Sequence, residues 1–123
     1  MLTASFVILL IAVLFGSLLA VLHFDGRPPP RVPWPLALLH ALLALGGFAL
    51  LAAALEGPPR GAAQGTASFG FAAAVLFAGA IAAGLGILVR FRLRRRSANA
   101  LVGVHATLAV SAIVILAAYV LSG

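Results

Sequence analysis

The run Leu2-Thr3-Ala4-Ser5-Phe6-Val7-Ile8-Leu9-Leu10-Ile11-Ala12-Val13-Leu14-Phe15-Gly16-Ser17-Leu18-Leu19-Ala20-Val21-Leu22-His23-Phe24 contains no Asp, Glu, Lys or Arg. At about 1.5 Å of rise per residue, a helix of this length covers the roughly 30 Å hydrocarbon core of a bilayer. In lipid the helix is favoured because it satisfies every backbone N–H and C=O within the segment. No basic segment precedes the run, and Leu22-His23 is not a small-x-small cleavage site, so it reads as a retained span and not as a signal peptide.

Three more runs of the same kind follow, from Trp34 to Leu55, from Ser68 to Val89 and from Ala98 to Leu121. The expected fold is therefore all-α: a transmembrane four-helix bundle in a single domain, 1–123, with spans near 2–24, 34–55, 68–89 and 98–121. Between the spans lie Asp25 to Pro33, Glu56 to Gly61 and Arg90 to Arg96, which are too polar or too rich in proline and glycine to continue a lipid-facing helix. Trp34 reads as an interfacial anchor, Pro35 as an early helical position and Ser97 as a cap for the fourth span. The stretch from Ala62 to Ala67 is where a few ordered non-helical residues are expected at the outer surface.

Composition excludes the alternatives. The chain is 64% hydrophobic and only 8% charged, which leaves too few charges for the surface of a water-soluble domain. The net charge of +6 comes from arginines gathered beside the apolar runs, a topology signal and not a nucleic-acid footprint. Arg27 and Arg31 occupy the first loop, Arg90, Arg92, Arg94, Arg95 and Arg96 the third, and only Arg60 the second. By arginine bias the first and third loops are cytoplasmic and both termini lie on the non-cytoplasmic side of what is expected to be a bacterial inner membrane. Cysteine is absent, so disulfides, thiolate metal sites and covalent c-type haem attachment are out.

An internal repeat places two histidines. At an offset of 65 residues His40-Ala41-Leu42-Leu43-Ala44 meets His105-Ala106-Thr107-Leu108-Ala109, and Leu51-Ala52-Ala53 meets Leu116-Ala117-Ala118. Seven of the sixteen positions from His40 to Leu55 are identical, although alanine and leucine match cheaply and two unrelated apolar helices can share them. A true repeat would be two parallel helical hairpins about an axis along the membrane normal. His40 lies five residues beyond Pro35 and His105 eight beyond Ser97, about 8 Å and 12 Å along helices of the same direction. His40 shares a stripe with Ala44 and Gly47, and His105 with Ala109 and Ala112, small residues that leave room beside each ring.

An imidazole inside a membrane needs partners for its ring nitrogens and is rare enough to be read as functional. The bland reading is a bond to a serine, threonine or carbonyl across a helix contact, fixing packing alone. Two histidines with no carboxylate at their level suit a bis-imidazole iron site, with His40 and His105 as metal ligands and haem b as the cofactor. Asp25 and Glu56, the only carboxylates, sit at membrane edges and exclude a carboxylate-bridged di-iron centre. Arg31 and Arg94 are then expected to pair with the haem propionates, though as topology signals they need no such role. His23 reads as an interfacial side chain. On the third span Gly70, Ala74, Ala78, Ala82 and Gly86, with Gly79 and Ala83, offer close-packing faces for the bundle or a partner.

The paired histidines on a four-span layout resemble small membrane cytochromes of b type, the group of cytochrome b561-like proteins and the haem anchors of respiratory dehydrogenases. The resemblance implies that His40 and His105 are axial ligands, that electrons pass between a redox partner and an acceptor such as a quinone, and that the chain works within a larger membrane or redox complex. The two-haem pattern of that group is not matched, because a second histidine pair is missing. Independent catalytic activity is not expected of loops this short. A haem-free structural or assembly subunit is the alternative, and a channel ranks last because little polar side chain is available to line a pore.

Overall fold

The computed structural model describes residues 1–25, 33–94 and 98–122. They form four helices, α1 (Leu2–Phe24), α2 (Trp34–Leu55), α3 (Phe69–Arg94) and α4 (Asn99–Leu121), with no strand among the described residues. Each helix is long and apolar enough to cross a membrane. The protein is thus an all-α integral membrane bundle.

Local chemistry sets the helix ends. Pro33 stands at the α2 cap with φ −64° and ψ 112°, extended as a residue before the first turn should be, and Pro35 follows within that turn, where a missing N–H costs little. The third helix runs past the expected Val89 to Arg94, because Arg90 and Arg92 are exposed and arginine is a good helix former once the chain has left the apolar zone. The fourth begins at Asn99 after Ala98, which offers no side-chain cap; the expected cap, Ser97, lies outside the described residues.

Helices α1 and α2 pack as one hairpin and α3 and α4 as another, and α1 meets α4 while α2 meets α3, closing a ring. The diagonal backbones, α1 with α3 and α2 with α4, stay apart. Burial repeats between the hairpins. Leu2, Ser5, Leu9 and Ala12 are the buried residues of α1, and Gly70, Ala73, Phe77 and Ala80, each 68 positions later, are those of α3 among its described side chains. Gly47 and Leu51 on α2 correspond, at an offset of 65, to the buried Ala112 and Leu116 on α4.

Two glycines let helices approach closely. A Cβ on Gly47 would stand 2.8 Å from Leu9 Cγ, and one on Gly70 would stand 2.6 Å from Leu55 Cδ2 and 2.7 Å from Tyr119 Cε1. Such contacts matter in lipid, where helices are held by van der Waals packing and not by the hydrophobic effect. The face read from Gly70 through Ala78 and Ala82 does not stay inside: Ala78 and Ala82 are exposed. Steps of four advance about 40° around a helix at 3.6 residues per turn, so a strict i+4 series drifts off the buried side. The buried side instead follows steps of three and four, from Gly70 through Ala73 and Phe77 to Ala80.

The segment between α2 and α3 is tied to the end of α4. Gly61 adopts φ +69° and its carbonyl accepts hydrogen bonds from the Gln64 and Thr66 N–H groups. The Arg60 N–H donates to the Tyr119 hydroxyl at 3.2 Å, and the Thr66 and Ser122 hydroxyls pair at 2.6 Å. This is the ordered non-helical stretch expected near Ala62 to Ala67.

Candidate metal centre

His40 and His105 meet across the α2–α4 diagonal. Their ring centroids are 5.8 Å apart with the planes inclined at 78°. Neither helix backbone comes close to the other, so the side chains alone bridge the middle of the ring. His40 Nδ1–H donates to the Ala12 carbonyl at 2.8 Å, and His105 Nδ1–H donates to the Ala80 carbonyl at 2.7 Å. A neutral imidazole has one donor and one acceptor, so this use of Nδ1 leaves each Nε2 with its lone pair. Among the described residues neither Nε2 has a hydrogen-bond partner, and neither is sealed inside the protein.

The rings border an apolar cavity of about 30 Å³. One alanine from each helix lines it, Ala12, Ala44, Ala80 and Ala109, together with Leu9, Val13, Phe77 and Ile81. Of the small residues expected beside the rings, Ala44 and Ala109 are therefore present. Gly47 and Ala112 are not: Gly47 is filled by Leu9 and Ile8 of α1, and Ala112 is fully buried in the core. Both lie a turn beyond the cavity, where their small size serves helix contact. Arg31 lies outside the described residues, as does the side chain of Arg94, the last residue of α3.

His23 takes no part in this cavity. Its Nε2–H donates to Asn99 Oδ1 at 2.9 Å, and its ring stands edge-on to Phe24 and Phe91, fastening α1 to α3 and α4 at the arginine-bearing end. The carbonyl acceptors Ala12 and Ala80 hold the two rings and are positions that reading for titratable residues passes over. Their signal is the match of Ala12-x-x-x-Gly16 with Ala80-x-x-x-Gly84, offset by 68 residues where the histidines are offset by 65.

Two rings bound on opposite sides of one metal ion, at about 2 Å per metal–nitrogen bond, have centroids roughly 6 Å apart. The observed 5.8 Å is of that order, and the pair stands edge-on, at a separation ordinary for two rings in contact. Imidazoles whose Nδ1–H is held by a backbone carbonyl are in the usual state of metal-binding histidines. No group of three or more His, Cys, Asp or Glu side chains exists among the described residues. Two donors suffice for a metal that brings its own equatorial ligands, as iron in a porphyrin does, or for a two-coordinate soft ion. The donor set thus fits haem iron. The cavity at its present size admits one or two water-sized groups and is far too small for a macrocycle, which would enter only if the four helices parted around it.

No family model, curated protein or solved structure matches the chain.

Proposed function

We propose that the protein is a membrane b-type cytochrome or haem-bearing anchor subunit, holding one haem iron between His40 and His105 and passing electrons within a larger redox complex, with a quinone as one possible acceptor. The observation that carries this reading is the adjacent pair of imidazoles, each pinned through Nδ1 and each with Nε2 unpaired among the described residues. Bound there, the haem would supply one-electron redox chemistry. The chain's own part is to fix two ligand rings at a set spacing beside an apolar cavity. The arginine-bearing end, with Arg90 and Arg92 exposed, faces the cytoplasm of a bacterial inner membrane, which puts both termini outside and the metal centre in the cytoplasmic leaflet.

Cavity volume favours a second reading. A space of about 30 Å³ suits a bare copper(I) ion, for which imidazole is an acceptable ligand, better than a macrocycle. Purification from cells supplied with haem and copper, followed by a pyridine haemochrome assay and metal analysis, separates the readings. About one haem per chain supports the first, and about one copper without haem supports the second. Neither group at stoichiometric level leaves the histidines as packing elements of a haem-free structural or assembly subunit.

A further inference from the structure

Each imidazole rests on the helix preceding its own, and the two resting places are alike. His40 bonds a carbonyl 28 residues earlier and His105 one 25 residues earlier, both on residues no more than 3% exposed. One turn beyond each acceptor stands a glycine. A Cβ on Gly16 would lie 2.9 Å from His40 Cε1 and 3.3 Å from its Nδ1, and a Cβ on Gly84 would lie 3.3 Å from the same two atoms of His105. Each ring therefore lies against bare backbone. Gly46 and Gly103, by contrast, face open space, so contact with a ring is not a general consequence of a glycine-rich composition.

We infer that Ala12 with Gly16, and Ala80 with Gly84, form two equivalent cradles that hold His40 and His105 as neutral Nδ1–H tautomers, leaving an acceptor-only Nε2 on each of the two rings that border the cavity. The carbonyl demands a donor, and only Nδ1 is within reach of it. Turning a ring over would place carbon where the donor stands and leave that carbonyl with no side-chain partner. The missing Cβ sets how closely the ring can lie, and therefore where Nε2 points. A ring nitrogen with only a lone pair to offer is satisfied by an electron-pair acceptor or by a donating water. A metal centre is such an acceptor; an anion is not. The cradles stand on hydrogen bonds and glycine contacts alone, and only the choice of metal as occupant rests on the function proposed above. Gly16 and Gly84 are positioning residues that act through the histidines.

Nitrogen NMR of the metal-free, histidine-labelled full chain in detergent tests this directly. At neutral pH the parent should show His40 and His105 protonated at Nδ1 and bare at Nε2, with His23 the opposite tautomer because its Nε2–H is used. Gly16→Ala should displace the His40 pattern and spare that of His105, Gly84→Ala should do the reverse with a smaller shift, and Gly103→Ala should move neither. Protonation of either deep histidine at Nε2 in the parent overturns the inference, and so does an unmoved His40 pattern in Gly16→Ala. Should Gly16→Ala fail to fold, the parent tautomers and Gly84→Ala still decide it. Haemin and silver(I), a stand-in for copper(I), are then added to the parent. The expected tautomers without a shift from either probe would uphold the cradles and overturn the metal-binding function alone.

Discussion

Ser5 is fully buried, and its hydroxyl oxygen is the one buried side-chain polar atom without a hydrogen-bond partner among the described residues. Its counterpart in the second hairpin is Ala73, which fills the equivalent place without a polar group. Removing an unsatisfied buried hydroxyl relieves a desolvation cost of about 1–3 kcal/mol, less the small packing loss of one atom. Ser5→Ala should therefore leave stability in detergent unchanged or raise it by about 1 kcal/mol, read as the midpoint of denaturant or thermal unfolding. Gly70→Val should act oppositely, because Leu55 and the Tyr119 ring already occupy the space a side chain would enter. Overpacking of this kind costs about 1–3 kcal/mol, and Gly46→Val, facing open space, is the matched control. At this scale the sequence showed the two histidines, since an ionisable group within an apolar run is visible at once. It did not show their acceptors, because a backbone carbonyl carries no side-chain signature and Ala12 looks like any other alanine.

The elements were the most legible part, because the bilayer imposes both length and hydrophobicity on a span. The four runs stand with their proline and glycine breaks; the starts of α3 and α4 move by one residue, and the one large shift is where arginines prolong α3 beyond the apolar zone. Which side of a helix faces inward was harder to read. Without a polar face, inside and lipid-facing positions are equally apolar, and an i+4 series of small residues on α3 suggested a face that winds out to Ala78 and Ala82. Ala78→Leu and Ala82→Leu should accordingly preserve the folded bundle, with unchanged gel-filtration profile and melting temperature. Loss of a co-purifying subunit in either variant would instead mark that face as a partner contact. The same blindness affected Gly47 and Ala112, whose small side chains were expected at the cavity and instead admit neighbouring packing.

At the scale of the whole molecule, two hairpins of one design close a ring whose diagonal is bridged by histidines. The repeat was visible in α2 and α4 at one offset, but the three-residue difference in hairpin spacing hid its continuation in α1 and α3. Orientation has its own test: a reporter that works only outside the cytoplasm should be active when fused after Gly123, and a cysteine in place of Arg92 should resist impermeant reagent in intact cells. Labelling of that cysteine from outside would invert the topology. The central claim is that His40 and His105 together hold one metal centre, with haem iron as its first reading. The most direct measurement is haem content and the absorption spectrum of the purified parent beside His40→Ala, His105→Ala and His23→Ala. The account predicts about one low-spin haem per chain in the parent and in His23→Ala, and loss of the low-spin spectrum when either deep histidine is removed. A parent without haem from haem-supplied cells, or an unaltered spectrum in both deep-histidine variants, would contradict it.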